Sequence, residues 1–190
     1  MSWDPCLDLG SGVLRNRLGI TDPDELRQVE ATLTASRIYD LNRVPLPGAY
    51  DLAHLQAFHR RIFGDVYDWA GELRTVAIGR GTAFCRPEHL AGDAEELFAW
   101  LARSAYLTGL DRDAFVDALT ELLSDLNALH PFREGNGRTQ RAFLAQLARD
   151  AGHPVRWSAM DPQENVAASR ASHTGDDAPL RALLHKLIAS

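Results

Sequence analysis

Lysine is almost missing from this 190-residue chain: Lys186 is the only one, so arginine carries nearly all the positive charge. The formal net charge is −6 and basic residues form no run, which argues against non-specific binding to a nucleic-acid backbone. With that single lysine near the end of the chain, a glycine-rich phosphate loop completed by lysine is excluded as well. Cysteine is equally scarce. Cys6 and Cys85 are too few for a disulfide framework and read as free thiols of a reducing compartment. No apolar run approaches the length of a membrane span, and Ser2-Trp3-Asp4-Pro5 lacks the basic-then-apolar order of a secretion signal. These absences lead to the expectation of a soluble, cytoplasmic protein with no membrane partner and no direct nucleic-acid partner.

What is present is ordinary in bulk, with 45% apolar and 24% charged residues. The length suits one domain over residues 1–190, with a core over about 21–160 and C-terminal helices over about 161–190. Helix punctuation is easy to read. Asp22-Pro23-Asp24-Glu25 supplies an N-cap, a proline at the first position and a capping-box glutamate, launching a helix to about Asp40. Asp51 caps a second helix, with Leu52, Leu55, Phe58 and Ile62 at helical spacing, that stops near Gly64. Pro87 and Glu88 begin a third, presenting Leu97, Trp100, Leu101 and Leu107 to a core. Asp111 caps a strongly apolar helix running to Leu129, and Arg138 to Ala148 continues the rhythm. Asp161-Pro162-Gln163-Glu164 repeats the capping box, and Pro179 precedes a last helix through Leu187.

Between two of these helices lies His130-Pro131-Phe132-Arg133-Glu134-Gly135-Asn136-Gly137-Arg138-Thr139-Gln140-Arg141. It combines an imidazole, a carboxylate, a Gly-Asn-Gly turn with unobstructed backbone amides, and two arginines one helical turn apart. A helix N-terminus offers free N–H groups and the positive end of its dipole, so this loop suits an anion such as a phosphate. In nucleotidyl transfer a neutral His130 can take the proton of an attacking hydroxyl. Glu134 is the candidate Mg2+ ligand, because magnesium favours hard oxygen donors and often takes one carboxylate plus substrate phosphates. Gly135, Asn136 and Gly137 let phosphate oxygens approach the backbone, with the Asn136 amide as an extra donor. Arg138 and Arg141 can both reach a polyphosphate tail. Pro131 shapes the loop and Phe132 anchors it in the core, although Phe132 also counts among the nucleotide-binding candidates. His54 and His59 point to different faces of one helix and lack a third ligand, so a transition-metal site is not expected.

The twelve-residue stretch matches the signature H-P-F-x-[D/E]-G-N-G-R-x-x-R of the Fic family, and the chain resembles that family's bacterial toxin type. Gly12-Val13-Leu14-Arg15-Asn16, the stretch from Asp65 to Arg74, and Phe84-Cys85-Arg86-Pro87 carry the likeness further. The resemblance implies a mostly all-α helical bundle that transfers AMP from ATP to a Tyr, Ser or Thr hydroxyl of a target protein. His130 would be the base, Mg2+ would sit on Glu134, and both arginines would contact the phosphate tail. Related toxins modify the ATPase subunits of type II topoisomerases, which makes such a subunit a candidate target. Relatives that move another nucleotide-derived group, or bind nucleotide with little turnover, are the alternatives.

One stretch departs from helical rhythm. Arg74, Thr75, Val76, Ala77 and Ile78 alternate, Gly79-Arg80-Gly81 supplies turn chemistry, and Thr82, Ala83, Phe84 and Cys85 continue. The pattern predicts a small β-hairpin. The resemblance makes it a flap whose free edge docks the target. Fic toxins are restrained by a segment [S/T]-x-x-x-E-[G/N] whose glutamate pairs with the second arginine, here Arg141. Thr21 to Glu25 comes nearest, but Leu26 follows where Gly or Asn is expected. Inhibition is therefore expected in trans, from a small separate antitoxin.

Overall fold

The structure, a computed structural model, describes residues 4–80 and 82–189, leaving aside the side chains of 80, 82 and 83. Seven α-helices run through the described residues: α1 (Pro23–Arg43), α2 (Leu52–Phe63), α3 (Leu90–Arg103), α4 (Arg112–Leu129), α5 (Asn136–Asp150), α6 (Pro162–His173) and α7 (Ala178–Leu187). Four begin where an aspartate signals them. Asp22 accepts from the Asp24 and Glu25 amides, Asp51 from His54, Asp111 from Ala114, and Asp161 from Gln163 and Glu164. Each such cap contributes about 1 kcal/mol by satisfying donors that the helix itself cannot.

Burial then arranges the helices. On α4, Phe115, Val116, Leu119, Leu122 and Leu126 are fully enclosed, and α5 buries Phe143, Leu144, Leu147 and Ala148 against α2 and α4. Phe143 stands edge-on to Tyr50, Phe58 and Phe98, with ring centroids 5.5, 5.6 and 5.9 Å away. Leu180, Leu183, Leu184 and Leu187 of α7 close the far side of α4. Leu107 is buried as expected, but not on α3. That helix ends at Arg103, and Ala105, Tyr106 and Leu107 turn left-handed with φ of 50°, 54° and 60°. Left-handed backbone costs about 1–2 kcal/mol per residue, which enclosure of the leucine offsets in part.

The hairpin expected over Arg74–Cys85 does not form, and the fold is an all-α bundle without a β element of consequence. Among the described residues, 74–78 pair with no strand, and the only ladder joins Gly79–Arg80 to Thr82–Ala83, two residues a side. Gly81, expected in the turn, lies outside the described residues. The reason is visible in the hydrogen bonds. The Arg74 amide donates to the Pro131 carbonyl (2.9 Å) and the Cys85 amide to the Ala128 carbonyl (2.9 Å), so both ends are taken by the end of α4 and the loop after it. Between them sits the buried Arg74 guanidinium, which donates to the Val76 and Cys85 carbonyls and occupies the space where strands would meet.

The Phe143→Ala variant is expected to lose about 3–5 kcal/mol of stability, read by chemical denaturation, because a cavity opens where α2, α3 and α5 converge.

Candidate active site

His130 ends α4 in a left-handed conformation, φ 45° and ψ 60°, immediately before Pro131. A residue preceding proline avoids the right-handed helix, so the helix stops there. Arg74 braces this end: its Nε donates to the His130 carbonyl (2.8 Å), and Nη2 lies 3.3 Å from the Leu129 carbonyl. The Phe84 ring stacks on the imidazole with centroids 3.9 Å apart and planes 13° from parallel. Burial pushes the His130 imidazole down to about 4. The Asn127 carbonyl lies close enough to oppose that shift without reaching hydrogen-bond geometry, and Arg74 and His173 reinforce it. Nδ1 is buried without a partner. The imidazole is therefore neutral at pH 7.

The loop after His130 is fastened from within. Asn136 Oδ1 accepts from the Phe132 amide (2.9 Å), and its Nδ2 donates to the Phe132 carbonyl (2.7 Å). Beneath lies His59, stacked against Phe132 (4.0 Å) and Phe63 (4.7 Å). Its Nδ1 accepts from the Gly71 amide (2.8 Å), which leaves Nε2 to donate to the Glu134 carbonyl (3.0 Å). Burial pushes His59 down to about 4, so it keeps the single tautomer that makes both bonds.

At the start of α5 the pattern reverses. Gly135 is the N-cap and offers no side chain, so the first-turn amides receive no side-chain acceptor. Its φ is +79°, and a Cβ there would lie 2.2 Å from the Phe63 ring. Only glycine lets the helix begin against that aromatic floor. Glu134 accepts from the Gly135 amide through Oε1 (2.9 Å), and its carboxylate is 47% exposed.

The two arginines differ sharply. Arg138 is tied to Glu30 of α1 (2.5 Å) and Thr34 (3.1 Å), and lies over the Phe63 ring at 4.7 Å. Arg141 has no acidic partner among the described residues, and burial together with Arg138 weakens its hold on its proton. His130, Arg133, Glu134, Gly135, Asn136, Gly137, Arg138 and Arg141 line one cavity of about 230 Å3. A half-buried cation and unclaimed helix amides facing one cavity make a site for an anion of several charges. A larger cleft of about 340 Å3 lies between α1 and α2, but its Arg37 is already committed to Asp65.

This arrangement has known counterparts. Residues 49–148 match the model of the Fic/DOC family. The chain is also 42% identical over 188 residues to a probable protein adenylyltransferase, y4lH, of Sinorhizobium fredii, covering 97% of this chain and 96% of that one. The chain belongs to the Fic/DOC family. It is 40% identical over 186 residues to the protein adenylyltransferase VbhT of Bartonella schoenbuchensis, of whose length it spans 39%. Two crystal structures share its fold closely. BepC of Bartonella tribocorum with bound AMPPNP has a TM-score of 0.90 at 25% identity, over 97% of this chain and 96% of that one. An N-terminal Fic domain from Bartonella quintana with bound ADP has a TM-score of 0.91 at 27% identity, over 97% and 94%. The chain is a Fic-domain nucleotidyltransferase.

Within this Fic domain several expected roles change. Phe132 is fully buried against His59 and cannot touch a nucleotide. The oxygen and one N–H of the Asn136 amide are spent on Phe132, so that side chain shapes the loop. Arg74 and Val76 are 4% and 8% exposed, which removes them from any docking surface, whereas Thr75, Ala77 and Gly79 are exposed and Ile78 is half-buried. Cys85 is raised to about 11 by burial and Asp93, and stays a thiol. Glu30, Thr34 and Tyr67 were invisible as site residues, since Glu30 and Arg138 lie 108 residues apart. No local pattern marks such a pair.

Gly135→Ala is expected to lose about 2–4 kcal/mol of stability, from the left-handed backbone and the overlap with Phe63. Gly137→Ala is expected to melt close to the parent, because its Cβ meets only the flexible end of Arg141 at 3.2 Å. Comparing the two thermal transitions checks this.

Proposed function

We propose that this Fic domain transfers AMP from ATP to a side-chain hydroxyl of a target protein. The observation that carries the reading is the convergence, in one cavity, of neutral His130, Arg141 with no acidic partner among the described residues, and the open N-terminus of α5. Relatives named as protein adenylyltransferases, and a relative crystallised with AMPPNP, support it.

The target oxygen attacks the α-phosphorus of ATP, an O–P bond forms, and the bond to the β-phosphate oxygen breaks to release pyrophosphate. His130 takes the hydroxyl proton at Nε2, the nitrogen left accessible when Nδ1 is enclosed. The α5 amides, Arg141 and Arg138 neutralise charge on the phosphates and hold the leaving group in line. Glu134 would hold a magnesium ion, because its half-exposed carboxylate offers a hard oxygen donor beside the phosphate site. When bound, that ion supplies further charge neutralisation.

The accessible part of the 74–85 segment, exposed Thr75, Ala77 and Gly79 with half-buried Ile78, presents the target backbone beside His130. Phe84 holds the segment to the site by its stack on the imidazole. The docking expected of Thr82 and Ala83 concerns side chains outside the described set. Arg141 has no acidic partner among the described residues, and in this reading a carboxylate from a separate small antitoxin completes the resting state.

Purified protein incubated with Mg2+, bacterial lysate and ATP labelled at the α- or γ-phosphate tests the reaction. Label is expected on protein from α-ATP alone, falling by about 10^2–10^4-fold in His130→Ala. Label from γ-ATP would sink the reading. The pH profile tests the base separately. His130 acts when deprotonated, and its value of about 4 in the fold means that the rate should hold below pH 6 and fall only toward pH 4. Phe84→Ala hydrates the ring, so its acid limb should move up toward the ordinary value near 6.5.

A further inference from the structure

Glu30 sits in the middle of α1, only 8% exposed, and both of its oxygens are used. Oε1 meets Arg138 Nη2 at 2.5 Å, and Oε2 accepts from the buried Tyr67 hydroxyl. One turn further along α1, Thr34 Oγ1 accepts from Arg138 Nη1 (3.1 Å) and donates to the Glu30 carbonyl (2.7 Å). The Phe63 ring covers one face of the guanidinium at 4.7 Å. Arg138 is thus restrained in its plane by two acceptors and across its plane by an aromatic ring. Its side chain is still 27% exposed and lines the cavity. Arg141, one turn on, has no such support among the described residues.

An enclosed ion pair is a weak device for stability, because desolvation consumes most of the attraction and a well-packed apolar pair does as well. Its geometry is what an apolar pair cannot reproduce. A guanidinium has five N–H donors in a rigid fork, so spending some on Glu30 and Thr34 fixes where the rest point. We infer that Glu30, supported by Tyr67 and Thr34, is a positioning residue that holds Arg138 in the orientation required for phosphate charge in the transition state. This rests on reading Arg138 as a phosphate ligand. Glu30 also cancels the charge of Arg138, so the attraction of ATP into the cavity falls mainly to Arg141 and the α5 amides. Arg138 serves geometry and Arg141 serves capture.

That division makes the expected effect of Glu30→Gln asymmetric. The shape and one acceptor remain, but the negative charge is gone and the fork is no longer held. The turnover number should fall by about 10–100-fold, the scale of losing a preorganised contact. The KM for ATP should stay level or drop, since the cavity has become more positive. Thr34→Val, which leaves charge untouched, should lower turnover by several-fold, and serves if Glu30→Gln folds poorly. Melting temperatures confirm that folded protein is being compared.

The deciding measurement sets Glu30→Gln against Arg138→Lys and the double variant in the α-labelled ATP assay. If Glu30 acts through Arg138, the double variant is no slower than Arg138→Lys. An equal loss in both backgrounds, unchanged turnover in Glu30→Gln, or a raised turnover would each overturn the inference; the last would make Glu30 a competitor of the phosphates. If Arg138→Lys itself transfers AMP at the parent rate, the reading of Arg138 as a phosphate ligand fails, and the role of Glu30 falls with it.

Discussion

The side-chain amide of Asn136 takes the place of a backbone pairing across the loop between α4 and α5, accepting from Phe132 and donating back to it. Around that closure further polar groups of the loop are met from fixed directions. Arg74 takes the His130 and Pro131 carbonyls, His59 takes the Glu134 carbonyl, and Glu134 takes the Gly135 amide. A buried polar group left alone costs about 1–3 kcal/mol, so this accounting leaves the loop essentially one conformation. What it leaves free is the first turn of α5. The site consists of the polar groups that the fold declines to satisfy.

The same economy governs charge. A cation enclosed without a carboxylate is unfavourable, and Arg141, which has none among the described residues, stands where a polyanion can supply the missing charge. Its neighbour Arg138 is neutralised and held by α1, which gives a helix remote in sequence a stake in the cavity. Histidine is used in a parallel way. His59 and His130 are both driven toward neutrality by burial, yet one has both nitrogens bonded and the other has Nδ1 bare. The first is scaffold and the second is chemistry. Composition alone cannot separate them.

Helices proved legible because their signals are local. Asp22, Asp51, Asp111 and Asp161 cap where they should, since a carboxylate needs only the next two or three amides to act. The hairpin was misread for the opposite reason. Residues 74–78 alternate like a strand, but their hydrogen-bonding partners are set by the end of α4 and by the guanidinium of Arg74. Strand pairing is decided by what else competes for the backbone, and here a buried arginine competes successfully. Phe132 and Asn136 lie in the motif, but their burial and their bonds to one another could not be read from it, because which way a side chain faces depends on packing.

By itself, then, the sequence determined the aspartate-capped starts of four helices, the family and the chemical inventory of the loop from His130 to Arg141, all of which reside in residues within a few positions of one another. Tertiary structure alone decided which members of that inventory stay available. It bound Asn136 to Phe132 and Arg138 to Glu30, left Arg141 without a carboxylate among the described residues, and stripped water from His130 beneath Phe84. Those outcomes depend on contacts between residues up to 108 positions apart, and on the desolvation that only a packed interior imposes.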